Sequence, residues 1–125
     1  MFSKSFKQDA NIVPLSGNAS VTGNLTVTGT ITETSSIQFK ENVRPLENSM
    51  LTINQLVGVT YDRRDGSSKD EVGLIAEEVY KVAPELVSLN DRGDPYGIKY
   101  TKLTAYLIEC VKDLQHQIEE LKKGQ

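Results

Sequence analysis

Cys110 and His116 are the chain's single cysteine and single histidine, and they bound what thiol and imidazole chemistry can do here. One cysteine excludes an internal disulfide and a cysteine-built zinc site, and reads as a small core residue. His116 lies between Gln115 and Gln117, the setting of a solvated surface histidine rather than a ligand or a general base. Glu77 and Glu78 are paired carboxylates, a combination used in acid–base work. Neighbours on a helix nevertheless point about 100° apart, and the pair fits a solvated first turn. Asp91 and Asp94 flank Gly93 in the wrong frame for a calcium loop, and no glycine loop of the phosphate-cradling kind is present. No metal site and no cofactor are expected.

The elements that must position any site are those of a small protein. A chain of 125 residues allows one modest domain that buries a smaller share of its surface than a large one, so a partner chain would help it. With 25% charged and 38% hydrophobic residues and a net charge of -3, there is no basic excess for phosphate backbones, and nucleic acid is not an expected partner. The apolar runs are too short to span a bilayer, so no membrane partner is expected either. Met1–Ala10 has no apolar core of the secretion-signal kind, which points to a cytoplasmic origin.

Charge divides the chain. Ala10 to Thr32 carries no charged residue, whereas Glu33 onward is densely charged. Inside the uncharged part a six-residue unit repeats as Leu15–Ser20, Val21–Thr26 and Val27–Thr32, in the frame apolar, hydroxyl, Gly, polar, apolar, hydroxyl. Val and Thr favour strands, the glycines allow tight bends, and short-period repetition marks fibrous β architecture. Three units are too few to close alone and need neighbours, which other chains can supply.

Beyond Thr34 the pattern is mixed helix and strand. Pro45 suits a first helical position, and Leu46, Met50, Ile53 and Val57 form one stripe that Gly58 is placed to end. Val59 to Asp62 reads as a strand, Asp65–Ser68 as a turn, and Val72–Ala76 as an apolar run before a short helix that Pro84 stops. Leu86–Leu89 and Tyr96–Tyr100 flank Asn90–Asp94 as two arms of a hairpin. Finally, Thr104, Val111 and Ile118 alternate with Leu107, Leu114 and Leu121 as heptad a and d positions, which predicts a coiled-coil helix from about Thr101 to Lys122. A β-branched residue at a with Leu at d leans toward two strands. The competing reading is an amphipathic helix packed on its own domain.

Read in order, Ser35–Val43, Gly73–Val79, Ala83–Val87 and Gly97–Tyr100 with the closing heptad helix resemble the peptidase S74 domain, the intramolecular chaperone of phage tailspikes and tail fibres. The hexads are similar to the fibre segments such chaperones terminate. The resemblance implies an α+β fold: an N-terminal β-repeat fibre segment (1–34), then a chaperone domain (35–125) with a small mixed α/β body and a long C-terminal coiled-coil helix, assembled as an intertwined homotrimer. The implied partners are two further copies and the upstream fibre segment of the same chain. The implied location is a virion tail fibre assembled in the host cytoplasm, with the chaperone released after cleavage. Registering strands from three chains is slow and exposes sticky edges, and a detachable trimerising clamp answers both difficulties.

The family's nucleophile is a serine just C-terminal to the cut, often with a lysine five residues later. Those positions are Ser35 and Lys40, with the cut between Thr34 and Ser35. By residue type alone the serines would read as caps or loop polar groups and Lys40 as solvated. A lysine that has lost its proton can act as base to a serine, and a hydroxyl held beside the Thr34 carbonyl gains proximity. An i, i+5 spacing puts the two side chains about 140° apart on a helix and on opposite faces of a strand. Either residues 34–39 form a turn, or Lys40 reaches a serine of an adjacent chain, and the second arrangement is expected. Family members often carry Asp after the serine and Arg three after it, where this chain has Ser36 and Gln38. The alternative function is therefore a non-cleaving C-terminal trimerisation cap of a tail fibre. A membrane-tethered transcription factor fragment, which carries a similar domain, is disfavoured by the fibre-like hexads and by the lack of a following transmembrane segment.

Overall fold

The computed structural model describes residues 15–125, so the reading of Met1–Ala10 lies outside the described residues. The chain divides into two compact units, Met1–Glu41 and Asn42–Gln125. In the first, residues 15–34 form no helix or strand, but they bend at the hexad glycines. Gly17 (φ 82°) and Gly23 (φ 124°) take backbone conformations that side chains disfavour, whereas Gly29 bends without a positive φ. Leu15, Val21, Leu25, Val27 and Ile31 are all exposed. The periodic bends are thus what one chain holds by itself, because strand hydrogen bonds need a neighbour to receive them. The unit ends in a 3-10 turn, Ile37–Phe39.

In the second unit the helix expected from Pro45 to Val57 is only α1, Ser49–Ile53. Asn48 (φ 59°, ψ 30°) is left-handed and prevents Pro45–Glu47 from joining the helix. After Ile53 the amides of Gln55 and Leu56 bond three residues back, which tightens and ends it before Gly58. The stripe breaks accordingly. Leu46 and Val57 are exposed, and Leu56 packs toward the core in place of Val57.

Strand β1 (Val59–Tyr61) pairs antiparallel with β2 (Glu71–Gly73), Thr60 opposite Val72. Their connection is built from the expected turn residues: the Ser67 N–H donates to Asp65 Oδ1 at 2.9 Å, and Gly66 is left-handed. Glu71 gathers the hairpin, accepting from Ser68 Oγ, from Tyr61 Oη at 2.9 Å and from Arg63 Nε at 3.3 Å. These bonds, that of Ser68 first, hold its carboxyl below the usual range. Helix α2 (Ala76–Val82) stops before Pro84, and a 3-10 turn (Pro84–Leu86) leads into β3 (Val87–Leu89), antiparallel to β4 (Pro95–Ile98). Asn90 Oδ1 caps that hairpin by accepting the N–H groups of Arg92 and Asp94, each at 3.0 Å.

A third 3-10 turn (Tyr100–Lys102) opens α3, Leu103–Lys123, close to the heptad expectation. The core is Val79, Ala83, Leu86, Val87 and Tyr106, with Ile53, Leu56, Leu74, Ile98 and Leu103 packed against it. Tyr106 donates its hydroxyl to Glu85, and burial, then that bond, push its pKa up to about 12, so it stays a neutral donor.

Gly73 and Tyr100 fit together closely. The Tyr100 hydroxyl accepts the Leu74 N–H at 2.9 Å, and a Cβ on Gly73 would lie 2.6 Å from that oxygen. Gly73→Ala and Tyr100→Phe are each expected to lower stability by about 1 kcal/mol, the net worth of one such bond. In urea unfolding the double variant should lose less than the sum of the singles, since both remove the same contact.

Candidate functional site

Ser36 begins the site. Its backbone is extended (φ -70°, ψ 145°) and its Oγ accepts the Gln38 N–H at 3.3 Å, capping the 3-10 turn. Phe39 N–H donates to the Ser36 carbonyl at 3.1 Å and Lys40 N–H to that of Ile37 at 3.0 Å. Lys40 then leaves the turn extended (φ -126°, ψ 144°). The fold-back brings the Lys40 Nζ to 2.6 Å from Ser35 Oγ, to which it donates. An i, i+5 pair that no helix or strand would join is joined by one tight turn within a single chain. Of the two arrangements weighed, a turn within one chain is the one present here, and it joins the pair without a second copy.

Ser35 stands directly after Thr34, so its hydroxyl is tethered beside the Thr34 carbonyl by the chain itself. Ser35 and Lys40 are exposed in the single chain, as are the flanking Ile37 (69%) and Phe39 (71%). One chain by itself holds the Lys40–Ser35 contact and leaves both residues exposed.

The heptad residues occupy one side of α3. Leu107 (50%), Val111 (63%), Leu114 (47%), Ile118 (46%) and Leu121 (70%) are exposed, as is Thr104. On another side of the same helix Tyr106 and Cys110 are buried. The two readings of this helix thus divide it: Leu103, Tyr106 and Cys110 dock it on its own domain, and the a/d stripe is left over. Thr104, Leu107, Ile108, Val111 and Lys112 line an open apolar hollow on it. Sequence reasoning placed Cys110 in the core but missed Tyr106, which lies off the heptad seam on a second stripe of Leu103, Tyr106 and Cys110, spaced by three and four. Glu77, Glu78, Asp91, Asp94 and His116 are all exposed. Among the described residues no helix is long and apolar enough to cross a membrane.

Residues 35–88 match the family model for peptidase S74, described as chaperone of endosialidase. The chain is 31% identical over 91 residues to the long tail fiber protein Gp37 of Enterobacteria phage K3, and equally to that of phage T2. It is 36% identical over 91 residues to the Gp37 of Enterobacteria phage M1. Each match takes in 66% of this chain, but only 7% of the K3 and T2 proteins and 36% of the M1 protein. The chain therefore corresponds to a small part of the length of these relatives. The stretch that carries the Ser35–Lys40 contact, the first hairpin and α2 is thus the part that matches the peptidase S74 family model, the family the sequence motifs resemble.

Proposed function

We propose that this chain is a tail-fibre assembly chaperone that brings three copies together through α3, registers the upstream hexads, and then frees itself by one cut between Thr34 and Ser35. The observation that carries the cleavage reading is the 2.6 Å contact between Lys40 Nζ and Ser35 Oγ, immediately after the bond to be cut. Ser35 is the nucleophile and Lys40 the general base. The neutral lysine takes the hydroxyl proton as Ser35 Oγ attacks the Thr34 carbonyl carbon. The Thr34–Ser35 C–N bond then breaks, the proton passes to the departing Ser35 amine, and water completes the hydrolysis to a Thr34 carboxylate. The enzyme acts once, on itself.

Assembly supplies what one chain lacks. Ile37 and Phe39 are apolar and exposed beside the pair, and covering them with neighbouring chains would desolvate Lys40 and favour its neutral form. The exposed a/d stripe of α3 is the means of association, and the exposed apolar hexad positions are the material to be registered. The fibre relatives support the assembly role, and the tail fibre of a virion is the proposed location. Three chains rather than two is part of this reading, against the lean of the a/d rule. The intact mass of denatured protein beside Ser35→Ala tests it: two fragments against one chain supports a self-cleaving chaperone. A single full-length mass for both, in folded trimers, leaves the non-cleaving cap.

A further inference from the structure

We infer that Ser36 is the positioning residue of this cleavage, holding the turn that carries Lys40 back onto Ser35; the inference rests on reading Ser35 and Lys40 as the cleavage pair. The need for such a residue follows from distance. Five residues of extended chain span about 17 Å, whereas the lysine side chain reaches about 6 Å, so an extended 35–40 segment leaves Lys40 far from Ser35. A 3-10 turn advances only about 2 Å per residue and closes that gap.

The turn has little else to hold it. It is three residues long, none of its residues is buried, and isolated short helical turns are marginal in water. Two backbone bonds close it, Phe39 N–H to the Ser36 carbonyl and Lys40 N–H to the Ile37 carbonyl, and both fail together when the turn opens. The Ser36 Oγ bond to the Gln38 N–H is the side-chain contribution, and it satisfies an amide that the turn itself leaves unpaired. A reaction that requires the closed turn runs in proportion to the fraction of chains that hold it, so the cap enters the rate directly. Ser36 touches no reacting atom and acts through Lys40.

The experiment compares Ser36→Ala with Ser36→Asn in the full chain. Asn is an equally good capping residue and adds no charge beside Lys40. Cleavage is expected to slow about fivefold in the alanine variant, the scale of a lost cap, and to return to near the wild-type rate in the asparagine variant. A second readout applies wherever the chain stays whole: the Lys40 Cε and Nζ resonances should move in Ser36→Ala and return in Ser36→Asn. An unchanged rate in Ser36→Ala, or an asparagine variant as slow as the alanine one, overturns the assignment. Should the wild-type chain prove uncut, the cleavage reading fails by itself, and the Lys40 resonances still decide whether Ser36 places that side chain.

Discussion

Freshly purified protein is expected to give two fragments under denaturing conditions, parted between Thr34 and Ser35, while Ser35→Ala and Lys40→Ala each give one intact chain. Removing either partner of a serine–base pair costs on the order of a million-fold in rate, which turns a completed cut into none over days. Lys40→Arg sharpens the test. Arginine keeps the positive charge and the length but does not give up its proton in proteins, so it can still donate to Ser35 and cannot serve as base. An uncut arginine variant assigns Lys40 the role of base. A cut one reduces it to a hydrogen-bond donor. Because the 2.6 Å contact joins residues of one chain, mixed trimers of Ser35→Ala and Lys40→Ala chains should yield no fragments at all. Fragments from such mixtures would mean that a lysine of one copy serves a serine of another, and the single-chain arrangement would then be the wrong one for catalysis.

The elements that the sequence announced are those with strong local reasons. Helix α3 repeats its apolar residues over three heptads, α2 is stopped by Pro84, and both hairpins turn on Asp, Asn and Gly residues whose side chains or φ angles make the turn. Helix α1 was not legible at its true length. Asn48 tolerates a left-handed backbone without demanding it, so an unbroken apolar stripe from Leu46 to Val57 looked continuous. Tyr106 belongs to a short stripe, Leu103, Tyr106 and Cys110, that the longer heptad stripe beside it overshadows. At the site, only the family resemblance picked out Ser35 and Lys40, and their contact within one chain was not legible. Helix and strand periods both separate an i, i+5 pair, and the 3-10 turn that unites them is an irregular element that neither period describes.

Leu114→Asp, made in the Ser35→Ala background so that the chain stays whole, is expected to sediment as a monomer while keeping its fold. From Val111 to the end of α3 every residue is exposed, so the change removes nothing from the domain's own core. What it removes is the seam. Burying the exposed halves of Leu107, Val111, Leu114, Ile118 and Leu121 is worth about 1 kcal/mol each, or roughly 15 kcal/mol over three chains. Association costs about 4–15 kcal/mol in lost freedom for each of the two chains added, so the seam leaves at most a small surplus. Three carboxylates brought together at one level of an apolar seam, each desolvated and facing like charge, exceed it, and an affinity loss of at least about a thousandfold follows. Circular dichroism that retains the helix signal alongside monomeric sedimentation places the association on this stripe, whereas a trimer that survives the aspartate locates it elsewhere. With Ser35 restored, the same substitution separates geometry from environment. Lys40 still sits against Ser35 in each single chain, so a cut at the wild-type rate in monomers would show that the pair needs no cover from its neighbours. If the cut is lost together with the trimer, desolvation by assembly is what makes Lys40 a base, and the fibre is released only after its three strands have met.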